Sequence, residues 1–308
     1  MNSIEKIKFI SVIVPVYNNI KPLETCLDSL QNQTHPKDFY EVIVVDNASE
    51  ENIGSIANKF SQVTLTYESK PGSYAARNKG ILIAKGEIMA FTDSDCIPAE
   101  NWIEKGLEKL LQVPNCGLVA GKIELFFQIP DQPTAIEFYD AITYLDQKQH
   151  VNRSKFGATA NMFTFASRFK SVGLFNDELK SGGDMEWGRR VSSQGYEIIY
   201  AEEAYIKHPA RSSLGQLYKT RTRIVGGHYT LGKDYIDSDI QEKEGQNLVK
   251  EILQRLKPPV KYLRWRLSDQ RLKGNKQKLL FIVVTIFIDY AIAWELLRLG
   301  MGGKPKKD

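Results

Sequence analysis

The stretch EIMAFTDSDCIP, residues 87–98, decides how the chain is read. Ile88 to Phe91 are apolar or small, the pattern of a buried strand, and the chain then sets two carboxylates, Asp93 and Asp95, one residue apart at its end. Like charges that close repel each other, so the pair needs either open water or a bound cation. A solvated turn or a helix cap is the plainer alternative. The neighbouring elements bear on the choice.

Upstream, FISVIVPV (9–16) reads as a strand. A helix opens near Pro22, a favourable first-turn residue, with Leu23, Cys26, Leu27 and Leu30 on one face. EVIVVD (41–46), a helix over 52–60, VTLTY (63–67) and a helix over 73–84 lead into the quoted strand; a helix over 100–112 then precedes CGLVAG (116–121). Continuous Val and Ile runs separated by helices predict an α/β fold, a Rossmann-like and mainly parallel sheet with helices on both faces. Ligands of such sheets bind beyond the carboxyl ends of the strands, which puts VYNN, DNAS and TDSD on one rim. Beyond residue 121 the pattern loosens: a helix over 133–147, a strand near 160–166, a helix over 184–194 and two short strands, EIIY and AYIK. Pro258–Pro259 marks a boundary before the tail.

Composition narrows the class. The 308 residues are 42% hydrophobic and 25% charged, which fits a globular chain rather than a disordered one. Residues 251–308 hold 13 Lys and Arg against 5 Asp and Glu, while residues 1–250 carry a net −4, so a near-neutral body precedes a basic appendage. Cys26, Cys96 and Cys116 are odd in number and form no C-x-x-C pattern, which argues against a disulfide framework and a zinc site and for a reducing compartment.

On the rim, Asp46 and the Asn47–Ala48–Ser49 turn offer hydrogen bonds suited to a base and ribose. Lys70–Pro71–Gly72–Ser73 reads as a flexible loop feeding a helix that carries Arg77 and Asn78, and Asp93 and Asp95 would hold a divalent ion against a diphosphate. With these residues in view, SVIVPVYNN, VIVVDNAS, GSYAARNKGILIAKGEIMAFTDSDCIP and GGDMEWGRR together resemble the family 2 glycosyltransferases of the GT-A fold, over roughly residues 9–230. The resemblance implies an inverting, hexosyltransferase-type enzyme that moves a sugar from a nucleotide diphosphate donor, UDP-linked by expectation, with Mg²⁺ or Mn²⁺. It implies Pro15 and Tyr17 at the base, Asp46 binding it, Asp93 near the ribose, Arg77 near the nucleotide or its diphosphate, and Asp95 as principal metal ligand. His208 is a further metal or diphosphate contact by the same carry-over. The fourth block departs from the family's acidic pair, since Gly183 stands where the first acid is usual. Aligning the second acid gives Asp184 as catalytic base and Glu186 as the supporting acid, with Arg189 a further supporting residue; Arg211, with Lys219, Arg221 and Arg223 after it, would clamp diphosphate or an anionic acceptor, a solvated basic face being the alternative. The absence of a Q-x-x-R-W signature favours single addition over processive synthesis. Trp187, Phe138, Tyr139 and Tyr144 are candidates for stacking on acceptor sugar, with core packing the default.

The domain reading is a GT-A domain over 1–235, with a nucleotide-binding half over about 1–121 and an acceptor half over about 122–235, then a helical tail over 236–308. In that tail, 255–278 carries nine Lys and Arg and 279–297 is strongly apolar, with Asp289 inside it. The composition suits attachment to an anionic membrane as an interfacial, re-entrant or single-span segment, and a packing helix is the alternative. No nucleic-acid motif accompanies the charge. The expected setting is the cytoplasmic face of the membrane, and the expected acceptor a polysaccharide or lipid-linked saccharide of the cell envelope. A non-catalytic nucleotide-sugar-binding or scaffold protein is the rival, motivated by Gly183.

Overall fold

A computed structural model describes residues 8–130, 132–234, 241–257, 260–272 and 274–306. The chain runs β1 (Ile10–Val16), α1 (Ile20–Gln31), β2 (Tyr40–Asp46), α2 (Gly54–Ala57), β3 (Val63–Tyr67), α3 (Ser73–Ile83), β4 (Ile88–Thr92), β5 (Ile97–Pro98) and α4 (Trp102–Gln112). It continues through β6 (Cys116–Phe126), α5 (Ala135–Thr143), α6 (Gln147–Gln149), β7 (Asn161–Phe165), α7 (Ala166–Val172), α8 (Gly183–Ser193) and β8 (Glu197–Pro209). Four helices follow: α9 (Leu214–Asp234), α10 (Gln241–Leu256), α11 (Val260–Arg266) and α12 (Asn275–Gly300).

The strands form one eight-stranded sheet in the order β3-β2-β1-β4-β7-β6-β8-β5. β1 pairs in parallel with β2 and β4, and β2 with β3. Beyond β4 the pairing turns antiparallel, β4 with β7, β7 with β6 and β5 with β8. The sheet is therefore mixed, its parallel half lying where the sequence alternates regularly between strand and helix. Antiparallel neighbours need no helical crossover, which is why the alternation loosens after residue 121.

Both faces of the parallel half are covered. Val12, Val14, Val42 and Val44 join Leu23, Leu27, Leu30, Trp102 and Leu110 in one core, so α1 and α4 cover that face. Ile13 and Val45 point the other way, where α3 rests its Gly80 directly on them. Such two-sided burial is what unbroken β-branched runs require.

Several elements differ from the sequence reading. EIIY and AYIK belong to the one long strand β8, the helix expected over 52–60 is the single turn α2, and the helix over 133–147 stops at Thr143 and resumes only for α6. The Pro258–Pro259 boundary lies outside the described residues.

By their internal contacts the described residues fall into two compact units: those of 1–124, 145–179 and 183–208 form the first, and those of 125–144, 180–182 and 209–308 the second. Residues 209–234, which the sequence groups with the body, thus belong with the C-terminal helices. The second unit has its own core, in which Phe138, Tyr139 and Ile142 of α5 and Leu217 of α9 pack against Phe281, Val284, Ile288, Ile292 and Leu296 of α12. Thr134 starts α5 with a reciprocal cap, its hydroxyl accepting from the Glu137 N–H and the Glu137 carboxylate accepting from the Thr134 N–H. α12 is long and apolar enough to cross a membrane by length and composition, yet one side of it is buried in this core. Leu279, Val283, Phe287, Tyr290 and Trp294 form an exposed stripe on it. Asp289, the charge inside the apolar run, pairs with Arg255 of α10 at 2.9 Å.

Candidate active site

The carboxyl ends of β1, β2 and β4 carry the first set of residues. Pro15 and Val16 lie opposite Val45 and Asp46, so the two strands end together. Their loops are stapled: Asn18, at φ 45°, accepts through its Oδ1 from the Glu50 N–H at 2.7 Å, and its own N–H donates to Ser49 Oγ at 3.0 Å. Asp46 Oδ1 accepts from the Ser49 N–H, three residues on, at 2.9 Å, a local bond that fixes the carboxylate at the strand end. Pro15 is buried beneath this loop, and the Tyr17 side chain is 61% exposed, open to stack on a planar ligand.

Asn47 holds the next loop. Its amide donates to the carbonyls of Glu68 and Lys70, at 3.0 and 2.8 Å, and its Oδ1 accepts from the Gly72 N–H at 2.8 Å. Lys70 pairs with Asp177 and Glu178. The loop expected to be flexible is therefore pinned, and the Lys70 ammonium is engaged by those two acids.

The two acids of the opening stretch are separated by their partners. Arg77, expected near the nucleotide or its diphosphate, is buried on α3 and donates from Nη2 to Asp93 Oδ1. Its charge answers that of Asp93 and so eases the repulsion between Asp93 and Asp95. His208, near the end of β8, is buried with Nε2 3.9 Å from Asp95 Oδ1. Asp93, Asp95, Cys96 and His208 each offer a donor atom, all within 4.8 Å of one another. Ligands about 2.0–2.2 Å from an ion lie up to about 4.4 Å apart, so small side-chain rotations would let this set hold one cation. Burial, and then the Asp93 and Asp95 charges, push the Cys96 thiol well up, so it stands as a neutral thiol beside the two acids. The carboxylates suit Mg²⁺ or Mn²⁺, and a nitrogen ligand beside them favours the transition ion of the two.

The second set is built around α8. Asp184 and Glu186 lie in its first turn, where the helix dipole favours acids. Asp184 Oδ1 accepts from the Tyr74 hydroxyl at 3.2 Å and from the Met185 N–H at 2.9 Å. Among the described residues both its hydrogen bonds fall on Oδ1, which leaves Oδ2 to take a proton. Glu186 is held by Arg190 in a bidentate pair at 2.7 and 2.9 Å, and Arg190 also donates to the Leu174 carbonyl at 2.7 Å. Glu186 thus anchors α8, and Arg189 lies on its exposed side.

Gly183 has a steric reason. A Cβ there would meet the Tyr74 ring at 2.8–2.9 Å, closer than side chains tolerate. Tyr74 fills the space an acid at position 183 would need, and its hydroxyl supplies a hydrogen bond to Asp184. The sequence reading missed Tyr74, although its spacing of three from Arg77 puts both on one helix face; the Arg77 guanidinium lies 5.7 Å from its ring.

Other candidates are placed elsewhere. Arg211 belongs to the second unit, where it pairs with buried Asp140 at 3.1 Å, donates to Thr220 Oγ1 at 2.8 Å and stacks 4.0 Å from the Tyr144 ring. Its guanidinium is committed to Asp140, not free for a diphosphate. Trp187 is fully buried against Phe169, 4.7 Å between ring centroids, and Phe138 and Tyr139 lie in the second core, so these three pack rather than stack on sugar.

Comparison with known proteins bears on the family and the fold. The family model for glycosyl transferase family 2 matches residues 11–172. The chain is 38% identical over 224 residues to glycosyltransferase AglE of Haloferax volcanii, covering 71% of this chain and 72% of that protein. It is 38% identical over 119 residues to glycosyltransferase GlyG of Streptococcus pneumoniae serotype 4, covering 37% and 38%. A mannosyltransferase from Pyrobaculum calidifontis, solved in complex with GDP-Man and Mn²⁺, shares the fold with a TM-score of 0.58 at 18% identity, over 97% of this chain and 76% of that one.

Proposed function

The chain belongs to glycosyl transferase family 2, and on that premise we propose that it moves a sugar, with inversion, from a nucleotide diphosphate donor to a saccharide acceptor. The observation that carries the reading is the grouping of Asp93, Asp95 and His208 at the strand ends that also carry Asp46 and Tyr17. Tyr17 and the Asp46 turn receive the base and ribose. Asp95 and His208 would hold a divalent ion with Asp93, whose charge Arg77 shares. Such an ion supplies Lewis-acid stabilisation of the charge that builds on a departing diphosphate.

Asp184 is the base. Its Oδ2 takes the acceptor hydroxyl's proton as that oxygen bonds to the anomeric carbon and the bond to the diphosphate oxygen breaks. Tyr74 and the Met185 N–H hold Oδ1 and fix the direction of the free oxygen. With Gly183 explained by Tyr74, the departure from the family's acidic pair no longer favours a non-catalytic scaffold. The exposed stripe of α12 supports docking on a membrane, for which we propose the cytoplasmic face, with the exposed Arg264 and Lys276 available to anionic lipid. A polymeric or lipid-linked envelope glycan, extended one residue at a time, is the acceptor we propose.

The test is a panel of UDP-sugars and GDP-mannose assayed for Mn²⁺-dependent transfer or hydrolysis. Asp95→Asn is expected to lose metal-dependent donor binding, and Asp184→Asn to keep donor binding while losing transfer. Full transfer by Asp184→Asn would sink the base assignment.

A further inference from the structure

The second unit contains a cavity of about 1000 Å³ among α5, α9, α10, α11 and α12, at the upper end of the range for ligand pockets. Among the described residues, four cations line it, Arg221 of α9, Lys250 and Arg255 of α10 and Arg266 of α11, against two carboxylates, Glu251 and Asp289. Arg255 uses Asp289 at 2.9 Å. Arg221 Nη2 donates to Thr143 Oγ1 at 2.6 Å and lies 3.7 Å from Asp140, but Arg211 holds the same carboxylate at 3.1 Å. One buried acid between two guanidinia leaves a positive charge over.

The hydrogen bonds point the same way. Arg221 Nε and Arg266 Nε are buried and have no partner among the described residues. A buried donor left unmade keeps its full desolvation penalty, and a charged one most of all, so two such donors on the wall of one cavity mark where an acceptor belongs. Tyr139 and Tyr262 also line it, and burial pushes both phenols up, Tyr139 to about 12, so at neutral pH they keep a proton to donate. The wall thus offers donors and surplus positive charge, the complement of an oxyanion with several acceptor oxygens, and guanidinium forks match phosphate geometry.

We propose that this cavity, on the face of α12 opposite its exposed apolar stripe, binds the phosphate or diphosphate group of a membrane lipid at headgroup level. The lipid half rests on the reading of α12 as a membrane-docking helix. The phosphate half stands on the cavity alone.

The experiment uses the full chain in flotation with three kinds of vesicle: phosphatidylcholine alone, phosphatidylcholine with phosphatidic acid, and phosphatidylcholine with phosphatidylserine at matched surface charge. Calorimetric titration with inorganic pyrophosphate runs beside it. Binding about tenfold tighter to phosphatidic acid than to phosphatidylserine vesicles is expected, the effect of one or two charge-assisted hydrogen bonds. Arg266→Gln and Lys250→Gln, the latter at an exposed position that does not endanger folding, should reduce that preference to about twofold or less while leaving Mn²⁺-dependent donor hydrolysis unchanged. Equal binding to the two anionic vesicles, or an undiminished preference in both variants, overturns the proposal. Tight pyrophosphate binding lost in the variants, without any vesicle preference, assigns the cavity to a soluble phosphate ester and overturns the lipid half. Absence of binding to every vesicle, with donor hydrolysis intact, overturns docking by α12 and leaves the transferase reading standing.

Discussion

The two units handle charge in opposite ways. The first unit sets the carboxylates of Asp46, Asp93 and Asp95 at its strand ends and that of Asp184 at a helix start, and the buried Arg77 guanidinium is taken up by Asp93. Around the cavity of the second, Arg221, Arg255, Arg266 and Lys250 outnumber the carboxylates among the described residues, and Asp140 is divided between two arginines. Folded proteins rarely bury charge without a partner, because desolvation costs more than partial pairing recovers. An imbalance kept in place is therefore informative, and its sign matches the partners proposed: a cation and a proton for the first unit, an oxyanion for the second.

The largest effect that would break this contrast lies in the first unit. Asp184→Asn should lower kcat by about 10²- to 10⁴-fold at unchanged donor affinity, as steady-state kinetics with a fixed donor would reveal. In the second unit the matching change is Asp140→Ala, which strips away the acid that two guanidinia share. It should cost about 3–5 kcal/mol in chemical denaturation, and a loss below about 1 kcal/mol would mean that Arg211 and Arg221 are solvated after all.

A smaller effect tests why position 183 is bare. Gly183→Glu should destabilise by about 1–3 kcal/mol through overpacking against the Tyr74 ring, and the double variant Gly183→Glu, Tyr74→Ala should recover most of that in thermal melts. Smallest is Tyr74→Phe, which keeps the ring and removes the hydroxyl from Asp184 Oδ1. A fall in kcat of up to about tenfold with KM unchanged is expected, and a change in KM alone would place Tyr74 at the substrate rather than behind the base.

Much of the first unit is legible in its residues alone. Val12 to Val16, Val42 to Val45 and Ile88 to Phe91 are buried on both faces, so hydrophobic period and length suffice to find these strands and the rim at their ends. The elements misread are those whose form depends on a neighbour. EIIY and AYIK look like two strands because Ala201–Glu202–Glu203 interrupts the apolar pattern, yet Glu202 and Glu203 are both exposed and are tolerated within one continuous strand. Among site residues, Asp95 and His208 are 113 positions apart, and Arg77 and Arg211 look alike in sequence. One is buried on Asp93 and the other on Asp140, and nothing local announces either partner.

By itself the sequence determined which side-chain chemistry the chain carries: strand ends that deliver acids, two acids at the start of a helix, and a basic and apolar C-terminal region. These follow from side-chain type and short-range periodicity, which the backbone obeys locally. Only the tertiary structure decided which acid meets which cation, why Tyr74 excludes an acid at 183, and that residues 209–234 join the C-terminal helices around a cationic cavity. The physical reason is that charge and steric exclusion act through space over a few ångströms, whatever distance along the chain separates the groups.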